Sequence, residues 1–262
     1  LLQTYPQVPV INYDDVQRQF ASDGFFVINE IFTGDEVEML LQTISNADAS
    51  NDTFRQNGDL FAIRQFVKEI PQIQHQVVNQ QLNHLIDRLF GNDYFIIKSI
   101  YFDKPEKSNW FVPYHQDLTI SVDKKGDYPG FGPWTVKQGQ FAVQPPLEIL
   151  EDNFTIRVHL DDTDQTNGAL RVVPGSHAKG VYRAEDIDWS TEREVNCDVK
   201  RGGIMMMKPL LLHASSRTTS NHRRRVIHIE FGRKPLPEGL CWSEFAGILP
   251  NEIDLEGNGI SR

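Results

Sequence analysis

The sequence predicts a mostly antiparallel β sandwich or jelly roll with flanking helices. Three observations lead there: six short β-branched or apolar runs crowd residues 94–231, helical spacing is confined to the first third, and 18 Gly with 14 Pro are spread along the chain as turn formers.

The elements follow in order. Phe25, Phe26, Val27 and Ile28 form a compact β-prone run, and Thr33 opens a helix whose first turn carries acidic residues that suit the helix dipole. A second helix is expected over residues 71–90. Its apolar positions Ile73, Val77, Leu82, Leu85, Ile86 and Leu89 approximate one face, with Pro71 at the start and Gly91 as a stop. From Tyr94 the pattern changes to strands, at 94–102, 154–160, 169–173, 204–207, 210–214 and 225–231, each bounded by Gly, Pro, Asn or Asp. Residues 123–146 are rich in Gly, Pro and aromatic side chains without a regular period, and read as a long loop over one end of the barrel. At 262 residues and 39% hydrophobic, one domain is expected: a largely helical flank over 1–92, a core over 93–232 and a C-terminal tail over 233–262.

A formal charge of -10 disfavours sequence-independent binding to phosphate backbones, so no nucleic-acid partner is expected. The cluster Arg223, Arg224, Arg225 runs against that charge and needs its own explanation. Two distant cysteines, Cys197 and Cys241, give neither a disulfide framework nor metal-type spacing, which fits a reducing cytoplasm. Neither a signal peptide nor a membrane span is expected, because the most apolar stretch, residues 203–212, is interrupted by Lys208 and Pro209.

Chemistry enters through the histidines. Two imidazoles and one carboxylate on one face of a metal leave positions open for ligands, the arrangement of non-haem iron oxygenases. Its sequence signature is a His-x-Asp/Glu pair with a distant His, and this chain has three such pairs: His115/Asp117, His159/Asp161 and His228/Glu230. In an extended segment each pair shares a face, so spacing alone leaves all three open. His213 is the marked distal histidine: it ends an apolar run and lies eleven residues before Arg224. If the segment forms an antiparallel hairpin, Arg224 can return beside His213, a buried guanidinium whose cost a dicarboxylate would offset. Arg224 must point opposite to Arg223 and Arg225, which argues against a uniform basic patch. On residues 154–160, the alternation places Thr155, Arg157 and His159 on a polar face toward the cavity, where Arg157 is a candidate for an anionic substrate group. Lys98, on the strand before the loop, is a further candidate contact. A calcium loop at Asp162, Asp164 and Thr166 fails on its glycine position and lacks the closing glutamate.

Three stretches resemble the phytanoyl-CoA dioxygenase family, which includes ectoine hydroxylases: residues 113–117 (Pro-Tyr-His-Gln-Asp), residues 155–162 running through Asn167 and Gly168 into residues 170–177 (Leu-Arg-Val-Val-Pro-Gly-Ser-His), and His213, Ala214, Ser215 with Arg224. The resemblance covers roughly residues 94–232. It implies a double-stranded β-helix and iron(II) held by His115, Asp117 and His213, since the family's ligand pair lies upstream of the Pro-Gly-Ser-His segment. It implies that Arg224 binds the distal carboxylate of 2-oxoglutarate, with Ser215 beside it and Trp134 as an aromatic contact, and that His177 is structural. Because Asp117 is present, it implies hydroxylation or a related oxidation of a small metabolite by 2-oxoglutarate and O2, not chlorination. No side chain beyond the metal ligands is nominated as catalytic. A zinc hydrolase or a non-catalytic cupin-like metal-binding protein are the competing readings, and the hydrolase gives no reason for Arg224.

Overall fold

The protein is described by a computed structural model over residues 11–47, 54–57, 60–108, 110–137 and 139–248. The first third is helical but also supplies strands. Helix α1 (Tyr13–Asp23) is capped by Asn12 and closed by Gly24, whose φ of 81° is the left-handed conformation glycine adopts at low cost. A Cβ at Gly24 would lie 2.4 Å from the His177 ring, so the position also needs glycine for space. Strand β1 (Phe25–Ile28) follows, then α2 (Gly34–Ser45), opened by a capping box between Thr33 and Glu36. Strands β2 (Phe54–Asn57) and β3 (Leu60–Arg64) lead to short α3 (Phe66–Glu69).

The single helix expected over 71–90 is two: α4 (Ile73–Val77) and α5 (Gln80–Phe90). The break is at Asn79, whose side chain accepts from Leu82 N at 2.8 Å and so caps a new helix rather than extending the old one. Both helices keep their apolar face, with Ile73, Val77, Leu82, Leu85 and Ile86 buried in the main core.

The core strands are β4 (Phe95–Lys104), β5 (Val112–His115), β6 (Ile120–Val122), β7 (Trp134–Lys137) and β8 (Gln140–Val143); after α6 (Leu147–Asp152) come β9 (Phe154–His159), β10 (Leu170–Val172), β11 (Val195–Cys197), β12 (Ile204–Met207), β13 (His213–Ser215), β14 (Arg224–Gly232) and β15 (Ala246–Gly247). The major sheet runs β1-β12-β9-β14-β4-β3-β2, with β15 also on β4; the minor sheet runs β11-β10-β13-β5. Every pairing is antiparallel, and the two sheets give the mainly β, jelly-roll architecture. The outward face of the major sheet packs under the helices: Phe90, Phe154 and Phe231 stack in sequence at centroid separations of 4.0 and 4.9 Å.

Two expectations are corrected. Residues 123–146 are not all loop, because β7 and β8 form a hairpin that pairs with β6 in a small third sheet. The strand expected at 210–214 is confined to His213–Ser215, since Leu211 N bonds back to Lys208 O in a turn that buries Leu210, Leu211 and Leu212. The flank and tail join the core: β1 and β3 pair directly with core strands, and β15 docks on β4 beside buried Trp242. Residues 249–262 of the expected tail lie outside the described residues. Among those described, no helix is long and apolar enough to cross a membrane.

Candidate metal centre

The two sheets face each other across a cavity of about 470 Å³. On its minor-sheet wall, β13 pairs with β5 so that His213 stands opposite His115, and a register shift between His213 and Ser215 interrupts the ladder there. The rings lie 4.2 Å apart, centroid to centroid. Asp117 follows just beyond β5: its Oδ1 is 3.9 Å from His115 Nε2 and its Oδ2 3.8 Å from His213 Nε2. One ligand atom from each residue therefore falls within 4.8 Å of the other two. Both histidines are oriented alike. His115 Nδ1 donates to Pro113 O and His213 Nδ1 to Leu211 O, each at 2.9 Å, which fixes the proton on Nδ1 and leaves the Nε2 lone pair toward the third residue. Burial holds the His213 pKa down at about 4, so the ring is neutral and able to donate to a metal. Burial opposes ionisation of Asp117, but His213, Lys98, His228 and His115 outweigh it and hold the carboxyl at about 2.

The segment between the ligands is fixed from below. Buried Gln116 donates to Gly180 O and Leu210 O and accepts from Tyr182 N, while Asp117 N bonds to Pro209 O. Nothing in the sequence alone singled out Gln116.

The major-sheet wall is cationic. Arg224, 3% exposed, lines the cavity, and its Nε and Nη1 have no hydrogen-bond partner. Burial and the neighbouring Arg157 lower its pKa to about 9, leaving it charged at neutral pH. Ser215 lies on the facing strand; its hydroxyl donates to Gly168 O at 3.0 Å. Gly168 has φ +86°, and a Cβ there would sit 2.8 Å from both Lys104 Nζ and Ser216 O, so this corner has no room for a side chain. A buried guanidinium with two orphaned nitrogens is the receptor that a ligand carboxylate completes through paired charge-assisted bonds.

The chain matches the phytanoyl-CoA dioxygenase family over residues 20–226, well over half its length. It belongs to that family. The family's cofactor is iron(II), with 2-oxoglutarate and O2 as cosubstrates, and the His-Asp-His set and the unpartnered Arg224 fit those groups. Phytanoyl-CoA dioxygenase domain-containing protein 1 of Mus musculus is 23% identical over 271 residues, covering 86% of this chain and 91% of its own. A probable alpha-ketoglutarate-dependent hypophosphite dioxygenase of Stutzerimonas stutzeri is 22% identical, over 67% of this chain and 57% of its own. Among solved structures, EctD from S. alaskensis with 2-oxoglutarate and 5-hydroxyectoine superposes with a TM-score of 0.64 at 20% identity, covering 88% of this chain and 78% of that one. EvdO2 from Micromonospora carbonacea var. aurantiaca, complexed with 2-oxoglutarate, gives 0.63 at 17% identity, over 88% and 94%. At these identities the superpositions speak to the fold.

Not every expected site residue of this family member lies in the cavity. Trp134 does not line it: on β7 it packs with the apolar cluster around Ile97, Ile120 and Trp242, and the tryptophan in the cavity wall is Trp110. Of the polar face on β9, Arg157 alone lines the cavity; His159 Nδ1 is bonded to Thr163 Oγ1, and Thr155 is fully buried. Lys98 does line it, but is paired to Glu230 at 2.6 Å and so is not a free contact. His177 is bonded through Nε2 to Ala21 O, 3.1 Å away, tying the loop after β10 to α1. Trp110 and the inward role of His228 and Glu230 were not anticipated from the sequence. For the last two a signal existed: on a strand that starts at Arg224, positions 226, 228 and 230 share its face.

A second set, Asp117, His228 and Glu230, also brings ligand atoms within 4.8 Å. In this set, however, both nitrogens of His228 are engaged, Nδ1 accepting from Arg157 Nη1 at 3.0 Å and Nε2 donating to Glu230 Oε1, which also accepts from Lys98.

Proposed function

We propose that the protein is a mononuclear iron(II) oxygenase that uses 2-oxoglutarate and O2 to oxidise a C–H bond of a small metabolite, by hydroxylation or a related oxidation, within one domain. The observation that carries this reading is the pairing of a His-Asp-His face with a buried, unpartnered arginine on the opposite wall of one cavity. His115, Asp117 and His213 would hold the iron. When bound, it supplies oxygen activation coupled to decarboxylation of 2-oxoglutarate to succinate and carbon dioxide. The chain's part is positioning and exclusion of water. Arg224 would take the distal carboxylate. Ser215 has one hydroxyl hydrogen and gives it to Gly168 O, so a carboxylate must compete for it; Arg224 carries the main hold and Ser215 a lesser one. A zinc hydrolase would leave Arg224 buried without purpose, and a non-catalytic metal-binding protein would have no need of a carboxylate receptor across the cavity from the metal. Free Cys197 and Cys241 support a reducing location, which we take to be the cytoplasm.

Anaerobic addition of iron(II) and then 2-oxoglutarate tests the reading. A weak visible charge-transfer band is expected only when both are present, and slow succinate formation on admitting air. Absence of both would contradict it.

A further inference from the structure

The inward side chains of the major sheet carry more positive charge than the cosubstrate accounts for. Glu230 neutralises Lys98. Iron(II), Asp117, the two carboxylates of 2-oxoglutarate and Arg224 together sum to zero formal charge. Lys104, beside Arg224, donates to Ser216 O and does not line the cavity, and burial with Arg224 lowers its pKa to about 7; among the cavity-lining cations Arg157 is left over. It is 7% exposed, lines the cavity, and its Nε has no hydrogen-bond partner. Arg64 also lines the wall, with interactions of its own, and does nothing to reduce the surplus.

Arg157 is held in place by a chain of bonds. A guanidinium only donates, so at the 3.0 Å contact His228 Nδ1 accepts from Arg157 Nη1; the His228 proton is then on Nε2, which donates to Glu230 Oε1 at 3.1 Å. The clamp engages one terminal nitrogen and leaves the Nε edge unpaired. Arg157 is near enough to Arg224 to lower its pKa, but the strand register sets their backbone positions apart. Arg157 pairs in register with His228, four residues along β14 from Arg224, or about 13 Å of strand. That is the level of the metal ligands, since His228 and Asp117 belong to one cluster of ligand atoms. Around it the wall is apolar, with Ile100, Phe102, Trp110, Val112 and Leu170.

A buried cation without an anion is costly, and a carboxylate offsets that cost through parallel N–H···O bonds. We propose that the substrate is a small molecule bearing a carboxylate held on the Nε edge of Arg157, with an apolar body against Phe102 and Trp110, and that His228 positions the guanidinium. This inference rests on the iron and 2-oxoglutarate reading of the same site.

Acetate is the appropriate probe, because no particular carbon skeleton then has to fit, and acetamide is its neutral isostere. Each is titrated anaerobically into the protein loaded with iron(II) and 2-oxoglutarate, with binding read from the charge-transfer band and the thermal midpoint. Acetate is expected to shift both and acetamide neither. Arg157→Gln should lose the acetate response while its 2-oxoglutarate affinity stays within about threefold, and Arg157→Lys, which keeps the charge without the fork, should weaken acetate roughly tenfold. If Arg157→Gln does not fold, Arg157→Lys decides. His228→Asn, which retains an acceptor, should preserve the response that His228→Leu loses. An acetate response that survives in both Arg157 variants, an equal response to acetamide, or a parallel loss of 2-oxoglutarate binding in Arg157→Gln would overturn the inference. A band that forms without any acetate response overturns it alone; no band in the unaltered protein overturns the cosubstrate reading with it.

Discussion

His115/Asp117 and His159/Asp161 are the same His-x-Asp pattern, yet their surroundings make them different objects. His115 has one nitrogen bonded to a carbonyl and the other free toward Asp117 and His213, and Asp117 has no guanidinium against it among the described residues. His159 is fully buried, with Nδ1 on Thr163 and Nε2 enclosed without a partner. Asp161 is consumed by Arg225, whose Nε and Nη2 donate to it at 2.9 and 2.6 Å and whose backbone N adds a third bond. The lesson is that a ligand is defined by which lone pairs the fold leaves unspent. One pair joins strands; the other is presented to a cavity.

The sharpest way to break this comparison is to remove the two aspartates in turn. Asp117→Ala should lower iron(II) affinity by at least about 100-fold and abolish succinate formation, with little loss of stability. Asp161→Ala should do the reverse: iron binding unchanged in equilibrium dialysis, and urea denaturation showing a loss of about 2 kcal/mol as Arg225 loses a partner that is mostly but not fully buried. Next in size is Arg224→Gln, expected to raise the 2-oxoglutarate dissociation constant about 10- to 100-fold in calorimetry while iron affinity holds. Because that arginine is buried without a partner, the metal-free variant should be at least as stable as the parent. The enclosed His159 predicts a pH dependence. Burial, with Arg157 and Arg224 nearby, keeps its pKa well below 6.5 in the native state, so below that pH the unfolded chain binds the extra proton. Its contribution is therefore fully present above about pH 6.5 and is lost as pH falls; His159→Gln should flatten the acid limb of the stability curve measured by chemical denaturation. The smallest effect is expected from Trp134→Phe, which should leave 2-oxoglutarate affinity within about twofold because the side chain packs in a separate apolar cluster.

Much of this was legible in the chain. The strand at Phe25–Ile28, the start of a helix after Thr33 and the long strands around residues 95, 154 and 225 follow from local pattern, because alternation and capping are local properties. Asn79 was not legible as a break, since an asparagine between apolar helical positions reads as interior until its side chain is seen bonded to Leu82 N. The β7–β8 hairpin was hidden because its short strands are stabilised by β6, far enough away that no local period reveals them. The same holds for β1 and β3, whose place in the major sheet depends on partners late in the chain or beyond the helices. At the site, Arg224 stood out by its spacing from His213, but the expected hairpin return is not formed: β13 lies in the minor sheet and β14 in the major one, so the two residues face each other across the cavity. Trp134 and Trp110 could be told apart only by which one the fold turns toward the cavity.

The central claim, that unspent lone pairs and not the His-x-acid pattern choose the metal ligands, is tested most directly by iron(II) stoichiometry in His213→Ala and His228→Ala, which separate the two clusters that share Asp117. The account predicts that His213→Ala binds no iron in equilibrium dialysis while His228→Ala still binds one per chain. Retention in His213→Ala with loss in His228→Ala would contradict it.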